Sequence, residues 1–377
     1  MHRVEYLLWL KHMGISSNGK FLDAIEYFSS PEELYSADKE AYVECGMFND
    51  KEIEYLLNKD TSFVTAEVER CNRERVYLVD YFSKAYPESL REIPEPPLIL
   101  YVAGDKSILN NPSVTIVGSR KADSYGMTVC RDLASNFAQA GYTVVSGMAQ
   151  GIDQSASLGA LAAGGKTIGV LCCGMDVDYP SGSADFKNKI IAGGGAVISE
   201  FEFGTPALSG YFPVRNRIMA GLSPLTVMVQ AGEKSGALIT AHLAMEYGKS
   251  VAAVPGRIDI EESKGCLALI REGATMITDT EEFVSEFIAS VPEKKEIKKE
   301  EPVAEVKKTS GKSAVRQGEN ESDNMLELLN LLKEGPMSPS DLSEKSKRPF
   351  KWVASTLIIL EVSGKVKLMP DGKYSVN

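Results

Sequence analysis

Seven short apolar runs, separated by helical stretches, constrain the fold of this chain more than any other feature. They lie at 114–117, 142–145, 166–171, 195–199, 225–229, 250–254 and 275–277. Several are apolar without a break, as in "KTIGVLCC" and "LTVMVQ". Unbroken runs suit strands buried on both faces, because strands with one wet side alternate. Between them stand helical stretches such as "DSYGMTVCRDLASNFAQAG", "IDQSASLGALAAG", "GALITAHLAMEYG" and "KGCLALIREG". Strand–helix alternation over 112–290 predicts an α/β fold, a doubly wound and mostly parallel sheet.

The flanks differ in composition. Residues 1–65 are rich in helix formers and aromatics broken by glycine turns, which predicts a small helical module of the sterile-alpha-motif or helix-hairpin-helix kind. Within it, Ser30 and Pro31 read as the cap and first residue of a helix. A proline-rich lead-in over 66–105 favours extended chain and belongs with a core spanning 66–290. Residues 291–320 are dense in Lys and Glu and lack large apolar side chains, the composition of a disordered charged linker. Residues 321–377 read as three helices and a hairpin turning at Asp371-Gly372, the pattern of a winged helix, whose wing suits either duplex DNA or a protein.

Several function classes drop out. No apolar run approaches the roughly 18–20 residues of a membrane span. The opening "MHRVEYLLWLKHMG" is broken by Glu5 and Lys11 and does not read as a signal peptide. The six cysteines form no CxxC, so buried reduced thiols in a cytoplasmic protein are expected, Cys172-Cys173 included. His2, His12 and His242 have neither metal-ligand spacing nor a serine–aspartate context. Asp153, Asp176 and Asp178 match no metal loop; turn capping is expected of them, with Asp153 capping the helix after Gly151. No metal or cofactor is expected. The net charge of −11 argues against a basic coat, yet phosphate recognition confined to one groove is compatible with it.

Ligands of such sheets bind beyond the carboxyl ends of the strands, so the loops there carry the function. The stretch "SVTIVGSRKADSYG" runs from strand through Gly118 into a helix, with Ser124 expected as its cap, and such turns aim backbone N–H groups at anions. The later loops add Ser146, Gly147 and Gly151, then Lys234, Ser235 and Gly236. Arg120, Arg215, Arg217 and Lys234 supply cations. A dehydrogenase would show GxGxxG here and an acidic residue at the next strand end; Gly118-Ser119-Arg120 and Ser146-Gly147 stand instead. Arginine at the turn favours bidentate phosphate recognition. In "FPVRNRIMAG" the arginines suit a phosphate clamp with Phe212 stacking on a base, or else ion pairs with Glu200 and Glu202.

The segments "TIVGSR", "GYTVVSGMAQGID", "GALAAGGKTIGVLCCGMDVDYP", "GGAVISEFEFGTPALSGYFPVRNRIMAGLS" and "VMVQAGEKSGALITAHLAMEYGKSVAAVPG" resemble, in order and spacing, those of the DNA-processing DprA (Smf) family. The resemblance is strong over about 70–290 and looser in the flanks. It implies an extended Rossmann-like fold and a non-enzymatic homodimer in the bacterial cytoplasm. It further implies sequence-independent binding of single-stranded DNA, protection of incoming strands and loading of RecA in natural transformation. DNA contacts are implied at Gly118, Ser119 and Arg120, in the glycine-serine loops, and at Phe212, Arg215, Asn216 and Arg217. Two departures stand out: Gln150 replaces the family's arginine before Gly-Ile-Asp, and Ser157 follows Ala156 where histidine is common. Both are expected to reduce the cationic character of that loop. Two alternatives share the superfamily. A LOG-type nucleotide phosphoribohydrolase would need a Pro-Gly-Gly-x-Gly-Thr loop and a following glutamate, where this chain has Ser235-Gly236 and a distant Glu246. A nucleotide sensor without catalysis is the other.

Overall fold

The computed structural model describes residues 1–12, 17–291 and, further on, 328–329, 331–333, 335–346, 353, 357, 360, 365–369 and 373–376. The apolar runs become β3 (Ser113–Val117), β4 (Thr143–Ser146), β5 (Thr167–Val170), β6 (Ala196–Ser199), β7 (Leu225–Met228), β8 (Ser250–Ala253) and β9 (Thr275–Met276), each within one residue of its expected bounds. Two further strands arise in the lead-in, β1 (Val76–Asp80) and β2 (Ile99–Gly104). All nine share one sheet in the order β1-β2-β6-β5-β4-β3-β7-β8-β9. The pairs from β6 through β9 are parallel. β2 pairs antiparallel with β6, and β1 with β2. This is an extended Rossmann-like, doubly wound sheet.

Alternation along the strands builds two cores. Val114 and Ile116 of β3, with Leu225 and Val227 of β7, face α8 (Ser124–Gln139), α9 (Ile152–Ala162) and α14 (Thr280–Ser290). Val117 and Met228 join the opposite core, where α11 (Tyr211–Leu222), α12 (Ala237–Glu246) and α13 (Lys264–Arg271) pack. α7 (Glu88–Arg91) lies against α11, and α10 (Ser183–Ala192) covers β5 and β6. Met219 and Met228 are core residues, as expected.

The N-terminal helices are α1 (Arg3–His12), α2 (Asn18–Tyr27), α3 (Pro31–Ser36), α4 (Lys39–Cys45), α5 (Asp50–Leu57) and α6 (Ser62–Arg73). Ser30 caps α3 by accepting from the Glu33 amide, with Pro31 in the first turn. Leu7, Leu10, Phe21 and Leu34 share a core with Val76, Ile99 and Tyr101 of the sheet edge. Cations tie the same seam. Arg3 pairs with Asp80 at 3.0 Å, Arg70 with Asp176 at 2.7 Å, and the Lys11 ammonium lies 5.4 Å from the Tyr101 ring. Residues 1–294 form one compact unit.

A second unit, Lys295–Asn377, contains α15 (Pro339–Ser346) and the antiparallel pair β10 (Val366–Leu368) and β11 (Tyr374–Val376). Leu328, Leu332, Leu342, Val353, Leu357, Leu360 and Val366 make its small core. The Asp371-Gly372 turn and the linker from residue 292 lie outside the described residues. Among the described residues no helix is long and apolar enough to cross a membrane.

Candidate nucleic-acid interface

β3 and β7 are neighbours, yet the chain leaves them in opposite directions along the sheet, through β4 on one side and β8 on the other. That reversal opens a crevice beyond the strand ends. A cleft of about 520 Å³ lies there, with Gly118, Ser119 and Arg120 on one side and Lys234, Ser235 and Gly236 on another. Phe212, Arg215 and Asn216 of α11 line it as well, with Lys121, Glu261 and Glu262.

The first turn is fastened to its neighbours. The Ser119 amide donates to the Gln230 carbonyl at 2.6 Å, and the Ser119 carbonyl accepts from the Ile152 amide at 3.2 Å. Gly151 makes that second approach possible. Its φ is +84°, and a side chain there would meet the Ser119 carbonyl and press to 2.9 Å of Arg120 Cα. α8 is capped by Asp123, which accepts from the Gly126 amide at 2.9 Å, and not by Ser124 as expected. Asp123 has the extended backbone of a cap, φ −80° and ψ −178°, whereas Ser124 is already helical, and the Asp123 amide is held by the Gln230 side chain at 3.1 Å. α9 and α12 instead start at glycines, Gly151 and Gly236, and neighbouring oxygens take up their first-turn amides: Gln154 donates to the Ala149 carbonyl at 3.2 Å, Ala237 to the Ser235 hydroxyl at 3.3 Å and Leu238 to the Ser235 carbonyl at 3.1 Å.

The expected cations part company. Arg120 and Lys234 are exposed. Arg215 is buried and spent within the protein: Nη1 donates to the Gly147 and Val170 carbonyls, and Nε to Asn216 Oδ1 at 3.0 Å. Asn216 passes the connection on, donating to the Gly236 carbonyl at 3.3 Å. Gly147 lies so close beneath that a Cβ would sit 2.6 Å from Asp153 Oδ2 and collide with the guanidinium. Asp153 does not cap α9; it is buried inside the first turn and accepts from the Ala149 amide at 3.3 Å. Burial pushes its carboxyl above the ordinary carboxylate value, and the Arg215 charge works against that rise. Arg217 lies outside the cleft, paired with Glu200 in a seam that also holds Asn18 and Lys11. This is the ion-pair reading of the arginines. Ser146 is also away from the cleft, its hydroxyl donating to the Ile116 carbonyl at 2.7 Å.

One residue without an expected role joins the site. Tyr179, in the loop after β5, accepts a hydrogen bond from Arg120 Nη1 at 3.4 Å and sets its ring 5.6 Å from Phe212. The Arg120 guanidinium lies 5.2 Å from the Phe212 ring centre. The "DYP" stretch held the only available signal, an aromatic beside proline at a strand-end loop.

The two departures fare differently. Gln150 is exposed at the turn before α9. Ser157 is buried, accepting from the Thr167 hydroxyl at 3.2 Å at the start of β5, the end of the sheet opposite the cleft. Its identity therefore leaves the cleft's charge unchanged. Glu246 is exposed at the last turn of α12 and does not line the cleft. Asp178 caps its own turn, accepting from the Gly182 amide at 2.8 Å. All six cysteines are unbridged.

Fold and cleft together define a doubly wound α/β protein whose switch-point crevice presents hydroxyls and three exposed cations, Arg120, Lys121 and Lys234, beside two glutamates. The chain belongs to the DNA recombination-mediator protein A family, whose sequence model matches residues 77–288. It is 33% identical over 292 residues to protein Smf of Synechocystis, spanning 76% of this chain and 73% of that one. It is 34% identical over 260 residues to the DNA processing protein DprA of Streptococcus pneumoniae, 63% of this chain and 92% of the relative. The X-ray structure of the S. pneumoniae protein superposes with a TM-score of 0.67 at 31% identity, covering 75% of this chain and 97% of that one. A structure of DNA processing protein A from Helicobacter pylori, described for its single-stranded DNA binding mode, matches with a TM-score of 0.52 at 30% identity. That match covers 57% of this chain and 96% of the other.

Proposed function

We propose that this chain binds single-stranded DNA without sequence preference, as a homodimer, protects it, and delivers it to RecA during recombination. The observation that carries the reading is the cleft itself. The Gly118-Ser119-Arg120 turn, the Ser235-Gly236 loop and the exposed Arg120, Lys121 and Lys234 line one crevice, beside an aromatic face. Guanidinium, ammonium and hydroxyl groups suit phosphate oxygens, which every nucleotide has. Phe212 offers a face to any base, and such stacking tolerates sequence. Nothing in the cleft repeats a donor–acceptor code for base edges. The single-strand binding of the H. pylori relative supports the same ligand.

The test is titration of the full chain into a labelled oligonucleotide of neutral sequence, single-stranded and duplex, across a salt series. Binding that prefers the single strand, varies little between homopolymers and weakens linearly in log salt is expected. Equal affinity for the duplex would overturn the reading. RecA delivery is then read as faster filament formation on strand already covered by this protein.

A further inference from the structure

The geometry points to Tyr179 as a second base-stacking residue, carrying the strand's track out of the switch-point cleft and over the end of β5. This rests on the single-strand reading above. Three side chains from three strand ends meet at the mouth: Arg120 after β3, Tyr179 after β5, and Phe212 at the start of α11, which follows β6. The Tyr179 and Phe212 rings stand at 72°, so they present two separate faces and do not form one sandwich. A base on one leaves the other available for its neighbour. Arg120, bonded to the Tyr179 hydroxyl and lying over Phe212, puts a phosphate-binding cation between the two faces.

The loop that carries Tyr179 is set in advance. Asp178 accepts from the Gly182 and Ala184 amides at 2.8 and 3.2 Å and from the Ser183 hydroxyl at 3.0 Å. Lys187 donates to the Val177 and Met175 carbonyls at 2.7 and 3.1 Å, and the Gly174 amide donates to Thr205 at 2.9 Å. The partly buried Tyr179 packs against the small cluster that holds Met148, Phe186 and Ile190, while its hydroxyl reaches Arg120. A ring held this firmly loses little freedom on binding, so its contact is retained in affinity.

The experiment compares wild type with Y179F, Y179L, F212L and the double variant F212L/Y179L. Each is titrated with an oligothymidylate and with the same strand carrying abasic sites. Thermal melts establish that each variant is folded, and Y179F, which keeps the ring, guards against a packing defect. Y179F is expected to retain wild-type preference for the intact strand. Y179L is expected to bind the intact strand about tenfold more weakly and the abasic strand nearly as wild type. In the F212L background Y179L still costs severalfold, because the faces act separately. If Y179L changes neither titration, or adds nothing to F212L, the inference is overturned and Tyr179 merely props Phe212. If wild type itself fails to bind the strand, the single-strand reading falls, and the inference with it.

Discussion

Arg215 and Arg217 stand two positions apart on α11, and an α-helix turns about 200° between such residues. They therefore cannot serve one cleft. The helix gives its Phe212–Arg215–Asn216 side to the crevice and its Arg217 side to Glu200 and the N-terminal helices. The chemistry of the site was legible in the sequence: glycine turn, arginine, aromatic and hydroxyls were all found at strand ends. Which arginine is spent inside the protein was not, because residue type does not encode burial; only the helical spacing separated the two. Two variants distinguish the roles. Replacing exposed Arg120 with alanine should weaken single-strand binding alike for all sequences and reduce the salt slope by about 0.7, one phosphate contact. Unchanged slope and affinity would remove Arg120 from the interface. R217A should leave that slope alone and instead lower stability by about 3 kcal/mol, the low end for breaking a buried pair, since Asn18 still donates to Glu200 at 2.7 Å. A denaturant titration reads this; wild-type stability with impaired binding would reverse the assignment.

At the scale of elements, the parallel strands were legible because burial on both faces leaves mostly apolar runs such as Leu225–Met228, buried at every position. β1 and β2 were not. They belong to a stretch punctuated by Pro87, Pro94, Pro96 and Pro97, and their place comes from the antiparallel register of Tyr101 with Ser199, a partner far along the chain. Helix starts show a similar division. Capped helices such as α3 declared themselves by Ser30, whereas α9 and α12 begin at glycines and their first-turn amides are met by oxygens from neighbouring loops, which no local pattern announces. Gly151 is where backbone geometry and site coincide. Alanine at this φ of +84° should cost about 1–3 kcal/mol and push the Arg120 segment outward. Thermal melts and strand titration of G151A should therefore both worsen. A melt shift with full binding would mean that the turn is scaffold alone.

Across the whole molecule, an acidic chain of net charge −11 carries its proposed DNA-binding cations in one crevice, so binding should depend on that crevice and not on a basic surface. The crevice lies within residues 1–294, a compact unit whose cores include both faces of the sheet and the seam with the N-terminal helices. Lys295–Asn377 has a separate small core of its own. A chain ended after Lys294 should thus melt as cooperatively as the full protein and bind a short single strand with nearly the same affinity and salt slope. The unit removed would then act on something other than the short strand, either a protein or a duplex segment, and adding a duplex arm to the oligonucleotide tells these apart. If truncation instead weakens short-strand binding about tenfold or more, the scale expected of a tethered second module, the C-terminal unit is itself a principal contact. A reduced salt slope in the truncated chain would count the phosphates that unit had held.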